Sequence, residues 1–255
     1  MQFNLGKLVL ICLILSIVWS GSSLVASEGR SAQEEDFNFS KMNSQMGNKK
    51  ILILIGNGFG YTYFDAKAYF ETWGCNVTTA GLSGVVDACY NKPARNVTAD
   101  VLISEIDRNQ IREYDCLFIP SGGHHQILSL NQAVLNLVAM AYEEGLVVST
   151  LCVSILVLVN VQNMLNGIKV IGHATAASAV EAAGGIIVPN ARVVSDSHII
   201  TGGRGPSSSA PTYQLCVEIM KELLGYSYVL NTTLGQVNTN YTINVETTDL
   251  SDFFG

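Results

Sequence analysis

Basic residues are scarce in this chain: 14 Lys and Arg stand against 21 Asp and Glu among 255 residues, for a formal net charge of −7. A nucleic-acid surface needs clustered Lys and Arg, and no basic run is present, so neither nucleic acid nor an anionic membrane patch is an expected partner. Charged residues make up only 14% of the chain and hydrophobic ones 48%, the balance of a folded, core-rich protein and not of a disordered one. A membrane-spanning run is also missing. A helix needs roughly 20 apolar residues to cross about 30 Å of hydrocarbon, and neither residues 8–19 nor the run after Cys152 is that long. There are no internal repeats, no cluster with metal-ligand spacing and no cofactor motif. The one invitation to a cofactor, Gly56-Asn57-Gly58-Phe59-Gly60, fails on spacing. The third glycine of G-x-G-x-x-G would fall at Tyr61, and no acidic residue near Thr79 waits for a ribose. A glycine-rich turn is the reading.

What is present begins with a targeting segment. Lys7 supplies a positive n-region, residues 8–19 an apolar stretch, and Val25 and Ser27 are placed for cleavage before Glu28, so residues 1–27 read as a signal peptide. Sequons at Asn38, Asn76, Asn96, Asn231 and Asn240 fit N-x-[ST] and agree with a eukaryotic secretory protein, placed outside the cell or in the secretory lumen. Cleavage removes Cys12 and leaves Cys75, Cys89, Cys116, Cys152 and Cys216. That is an odd number in an oxidising compartment, so at least one thiol is free or pairs with another chain. Connectivity among the rest stays open.

Residues 28–49 are polar and read as a flexible leader; residues 226–255 shift to Asn and Thr and read as a polar tail. Between them, residues 50–225 alternate strand and helix. Apolar runs at 51–55, 76–80, 115–119, 146–150 and 168–171 suit strands buried on both faces. Helices are expected at 62–73 (Phe64, Ala68 and Phe70 inward), 99–106, 130–142 (Val134, Leu135, Val138 and Met140 inward), from Cys152 to about 165, 174–183, and 211–224 (Tyr213, Cys216, Ile219, Met220 and Leu223 inward). Residues 85–96 look irregular, and 192–200 form a hairpin around Ser195-Asp196-Ser197. The pattern predicts an α/β fold with a mostly parallel central sheet.

The stretch Leu146-Val147-Val148-Ser149-Thr150-Leu151-Cys152-Val153-Ser154-Ile155 carries the chemistry. A buried strand gives way to a helix at Cys152, which is nucleophile-elbow logic with sulfur in place of oxygen. Amides at a helix start favour thiolate; the bland alternative is a buried structural cysteine.

At this point the order of features resembles the DJ-1/ThiJ/PfpI superfamily over residues 50–225. The resemblance rests on the first strand, Pro120-Ser121-Gly122-Gly123, Thr150-Leu151-Cys152, Lys169-Val170-Ile171-Gly172-His173 and Ile200-Thr201-Gly202-Gly203-Arg204-Gly205-Pro206. It implies a flavodoxin-like three-layer sandwich of the class I glutamine amidotransferase-like kind, a nucleophilic Cys152, a nearby His173, an oxyanion hole from the N–H groups of Gly123 and Val153, and a homodimer. Gly122, His124 and His125 become pocket candidates, although a surface loop is the simpler account of the two histidines.

Two departures qualify the resemblance. The family's glutamate after the first strand falls at Thr62, and threonine cannot shuttle a proton near neutral pH. The histidine that follows the cysteine in the protease-like branch is Val153, and Ser154-Ile155 stands where Gly-Pro is usual. A weak cysteine-dependent glyoxalase or deglycase acting on small reactive carbonyls is therefore one expectation. A non-catalytic extracellular binding, redox-sensing or matrix protein is the other, and an amidotransferase-like hydrolase is disfavoured by the missing carboxylate.

Overall fold

The computed structural model describes residues 47–91, 94–203 and 210–225; the leader up to Met46, the 226–255 tail and the sequons at Asn38, Asn231 and Asn240 lie outside them. Strand β1 (Lys50–Ile55) is followed by α1 (Thr62–Thr72) and β2 (Asn76–Gly81). Next come β3 (Val85–Asn91), β4 (Ala94–Thr98), β5 (Val101–Leu102), α2 (Arg108–Ile111) and β6 (Cys116–Ile119). The chain continues through α3 (His125–Leu128), α4 (Gln132–Glu143), β7 (Val147–Leu151), a 3-10 turn (Cys152–Ser154) and α5 (Ile155–Val159). It then forms β8 (Lys169–Val170), α6 (Ala177–Ala182), β9 (Ile186–Ile187), β10 (Val193–Asp196), β11 (Ile199–Gly202) and α7 (Thr212–Leu223).

Seven strands form one sheet in the order β10-β11-β7-β6-β1-β2-β5. Only β10 with β11 is antiparallel; β11, β7, β6, β1, β2 and β5 run the same way. The sheet is parallel because apolar runs such as Ile51 to Ile55, completely buried, suit strands covered on both faces. On one face Leu52, Leu54, Leu117, Ile119 and Val148 join the inward residues of α4, α5 and α6 in one core cluster. On the other, Phe118 meets Phe70 of α1, and α7 packs beside α1. The result is a three-layer flavodoxin-like α/β fold, as the resemblance implies.

Several elements depart from expectation for identifiable reasons. Residues 85–98 are not irregular: β3 and β4 pair antiparallel, and Gly58 N–H and Cys89 N–H bond Asp87 O and Phe59 O, each at 2.8 Å. Exposed Val85 and Cys89 break the apolar/polar alternation that would have marked the strand. The helix expected at 99–106 is instead β5 and a 3-10 turn. Asp100 accepts Thr79 N–H at 2.7 Å and returns its own N–H to Thr79 O at 2.9 Å, which draws Val101 and Leu102 alongside β2. After Cys152 the helix ends at Val159, and turns carry Val161, Met164 and Leu165 into the core. An apolar run records burial, not helix length.

Helix faces also shift. In α1 the buried residues are Tyr63, Ala66 and Phe70, Ala68 being exposed, because the Tyr63 hydroxyl reaches Thr79 Oγ1 at 2.8 Å. In α4 they are Val134, Leu137, Val138 and Ala141, while Leu135 and Met140 are half-buried. In α7 Tyr213 lies half-exposed beside Tyr69 and Trp73. The hairpin turns at Ser197 and His198, whose φ values of 53° and 63° match the twist of two-residue strand connections.

Candidate active site

Because β1, β6 and β7 are neighbours and parallel, the segments that leave them emerge together at one edge of the sheet, where open α/β sheets place ligands. These segments are Gly56 to Gly60, Pro120 to His124, and Cys152 to Ser154. Cys152 has φ of 62°. A left-handed backbone at a non-glycine residue costs on the order of 1–3 kcal/mol, and here it turns the chain from strand into helix within one residue. Cys152 is 7% exposed. Val153 follows it inside the first turn, where its N–H has no earlier carbonyl of that turn to bond.

The glycine turn is built by close approach. Gly122, at φ 143°, lies so near the β1 loop that a Cβ would stand 2.5 Å from Gly60 N and 2.7 Å from Gly58 O. Gly60 N–H bonds Ser121 O at 2.7 Å. Gly123 is exposed and begins the turn into α3.

Thr62 arrives at this edge on the first residue of α1. Its Oγ1 accepts Ser121 N–H at 2.9 Å and lies 2.9 Å from Ser121 Oγ. The hydroxyl thus pins the glycine turn. His173 is brought to the elbow by its backbone, whose N–H bonds Cys152 O at 3.1 Å; the approach is possible because Gly172 has no Cβ, which would lie 3.2 Å from that same oxygen. The His173 ring caps the following turn: Nδ1 accepts Thr175 N–H at 3.3 Å and stands 2.8 Å from Thr175 Oγ1. That arrangement assigns the proton to Nε2.

His124 is the largest correction. It is not a surface-loop residue and lines no opening; its side chain is completely buried. Nε2–H donates to Pro120 O at 2.8 Å, and Nδ1 accepts Gly56 N–H at 3.2 Å. Burial, more than the neighbouring His125, lowers its pKa to about 4, so the ring is neutral at physiological pH. His125 is half-buried, with Nδ1–H donating to Gly122 O at 2.8 Å. Ser154, absent from the candidates drawn from sequence, is also fully buried and donates to Pro120 O at 2.6 Å. A lone hydroxyl inside Val153-Ser154-Ile155-Leu156 was the available signal, since a buried hydroxyl must find a partner.

A cleft of about 40 Å³ lies against His173, lined by Ile171, Gly172, Ala176, Val180 and Ile187. A larger cavity of about 300 Å³ lies at the opposite edge of the sheet, among Arg112, Tyr114, Asp115, Glu144, His198 and Glu222. No group of His, Cys, Asp and Glu able to hold a metal occurs among the described residues, and none of their helices is long and apolar enough to cross a membrane.

A profile of the DJ-1/PfpI family matches residues 49–222. The chain belongs to the DJ-1/PfpI family. Solved structures agree on the fold. The ThiJ/PfpI domain protein of Brachyspira murdochii shares 20% identity at a TM-score of 0.60, over 71% of this chain and 98% of its own. Drosophila melanogaster DJ-1beta shares 21% at 0.58, over 70% and 91%. A two-domain Anabaena variabilis protein, with DJ-1/ThiJ/PfpI-like and ferritin-like domains, matches at 20% and 0.58; this chain spans 48% of its length and the match covers 70% of this chain. No curated protein gives a significant sequence match. Within this DJ-1/PfpI protein, Cys152 and Gly123 stand at one edge of the sheet, with His173 beside Cys152 through its backbone.

Proposed function

We propose that this protein is a secreted cysteine-dependent enzyme of the glyoxalase or deglycase type, acting on small reactive carbonyls through Cys152. The observation that carries the proposal is the strained backbone of Cys152, at φ 62°, at the sheet edge shared with the Gly122-Gly123 turn. Strain of this kind persists only where the surrounding structure enforces it, and it gathers at functional sites. The Cys152 thiolate adds to the aldehyde carbon of a 2-oxoaldehyde: the S–C bond forms and the π pair moves to oxygen. Donors aimed at that developing charge are the usual large catalytic term, and Gly123 N–H and Val153 N–H fill the role. The oxygen takes a proton and gives the hemithioacetal. His173 Nε2–H gives its proton to the ketone oxygen and takes the proton of the former aldehyde carbon. That proton then passes to the former ketone carbon while the hemithioacetal hydroxyl returns its own to Nε2, leaving a thioester that water hydrolyses to the 2-hydroxy acid and free thiol. Oxidation at one carbon balances reduction at the next, so no external redox partner is required.

One observation favours a second reading, a non-catalytic binding or redox-sensing protein of the same fold. Thr62 holds Ser121 where the family has a carboxylate, and Thr175 holds His173 Nδ1. The Cys152 thiol in that setting would be oxidised to sulfenic or sulfinic acid instead of turning over. Methylglyoxal consumption without glutathione separates the two. Slow turnover is expected in the wild type, none in Cys152→Ser, and a gain in Thr62→Glu; absent general acid/base help typically costs 10²–10⁴-fold. Equal consumption by wild type and Cys152→Ser would sink the enzyme reading.

A further inference from the structure

The carbonyl oxygen of Pro120 receives two hydrogen bonds from buried side chains. Ser154 Oγ–H donates at 2.6 Å from the turn that follows Cys152. His124 Nε2–H donates at 2.8 Å from the glycine turn. The two donors lie 3.5 Å apart. On its far side the His124 ring accepts Gly56 N–H at 3.2 Å, and its backbone N–H bonds Gly58 O at 3.2 Å. One imidazole and one hydroxyl therefore tie together the ends of β1, β6 and β7. Both side chains are completely buried, so neither has water as a substitute partner; loss of Ser154 leaves Pro120 O with one donor, and loss of His124 also strands Gly56 N–H.

The placement along the chain gives this network a purpose. Ser154 is the residue after Val153, and His124 is the residue after Gly123. Each side chain that meets on Pro120 O is thus one residue beyond an N–H assigned to the oxyanion hole. The bracket His124–Pro120–Ser154 fixes one peptide plane against the other across two different strand ends. We propose that His124 and Ser154 are positioning residues that set the separation of the Gly123 and Val153 N–H groups, a role resting on the oxyanion assignment above. Neither touches the substrate. Donors must lie about 2.7–3.1 Å from the future oxyanion, and a 1 Å misplacement can cost about 10²-fold in rate, so a tie of this kind acts on kcat more than on KM.

The test uses the full chain with Ser154→Ala, and with His124→Gln as a second variant that keeps one N–H donor. Amide resonances of Gly123 and Val153 in ¹⁵N-labelled protein are expected to move in Ser154→Ala, with kcat for methylglyoxal down about 10–100-fold and KM little changed. Alkylation of Cys152 by iodoacetamide develops no oxyanion and should proceed within about two-fold of wild type; His124→Gln should retain more kcat than His124→Ala. Unmoved Gly123 and Val153 amides in Ser154→Ala would overturn the proposal, whether or not any turnover exists. So would moved amides with unchanged kcat, or alkylation falling in step with kcat. A failed enzyme reading shows itself separately, as no difference between wild type and Cys152→Ser.

Discussion

Single residues divide by what burial does to their charge. Cys116 and Cys216 are fully buried, and burial pushes both thiols well above their usual range; Cys75, whose thiol donates to Met220 Sδ at 3.8 Å, is pushed up to about 11. All three are therefore poor nucleophiles, since thiolate is the reactive form. His124 shows the same force acting on a base. Its pKa falls to about 4 in the folded protein, against about 6.5 unfolded. Above pH 6.5 both states are neutral and the ring contributes its full stability. As pH falls from 6.5 toward 4 the unfolded chain takes up a proton that the native state refuses, so stability is lost through that window. Linkage gives a loss of about 2 kcal/mol between pH 7 and pH 4.5. Urea unfolding at the two pH values should show this loss in wild type and not in His124→Gln; equal losses would mean that the ring does not titrate as its burial requires.

At the scale of elements, the elbow is where fold and chemistry coincide. Cys152 at φ 62° sits in a region where a Cβ is penalised by roughly 1–2 kcal/mol. Glycine escapes the penalty, so Cys152→Gly should unfold at a higher urea concentration than Cys152→Ala, by about 1 kcal/mol despite glycine's extra entropy in the unfolded chain. The opposite order would remove the strain argument. The elbow was legible in the sequence because a β-branched run met a long apolar run at one cysteine, and β1 was legible because Ile51 to Ile55 has no polar member. The β3–β4 hairpin was not, since exposed Val85 and Cys89 flank buried Val86 and Ala88 and mask the alternation in the sequence. Nor was the length of α5, because Val161, Met164 and Leu165 bury themselves from turns as well as from a helix would. In the site, Cys152 and Gly123 share one edge because both leave parallel strands, which alternation predicts, whereas His173 leaves β8, outside the seven-stranded sheet, and reaches the elbow through its N–H to Cys152 O. The burial of His124 does not follow from alternation, because its partners are Gly56 from another strand end and a carbonyl, Pro120 O, of its own turn, and neither leaves a periodic trace.

For the whole molecule the secreted reading is tested at the surface. Of the five sequons, Asn76 and Asn96 fall among the described residues, and both are exposed. Asn76 opens β2 at the edge of the sheet away from Cys152, and Asn96 lies on β4 in the hairpin beyond the β1 loop. A glycan at either place extends into water without disturbing the core. Five thiols, Cys75, Cys89, Cys116, Cys152 and Cys216, are unbridged. Three are protected by the burial just described, which leaves the elbow thiol of Cys152 and the exposed Cys89 as the two an oxidising lumen would reach first. Secretion therefore predicts three linked marks on protein expressed from the full chain in eukaryotic cells: an N-terminus at Glu28, Asn-to-Asp conversion at positions 76 and 96 after enzymatic deglycosylation, and native alkylation that reaches Cys89 well before Cys75, Cys116 or Cys216. Peptide mass spectrometry reads all three, and light scattering of the same sample reads the homodimer that the family resemblance implies. Protein recovered inside the cell with residues 1–27 intact and Asn76 and Asn96 unmodified would overturn the secreted reading while leaving the chemistry of Cys152 to be judged on turnover alone.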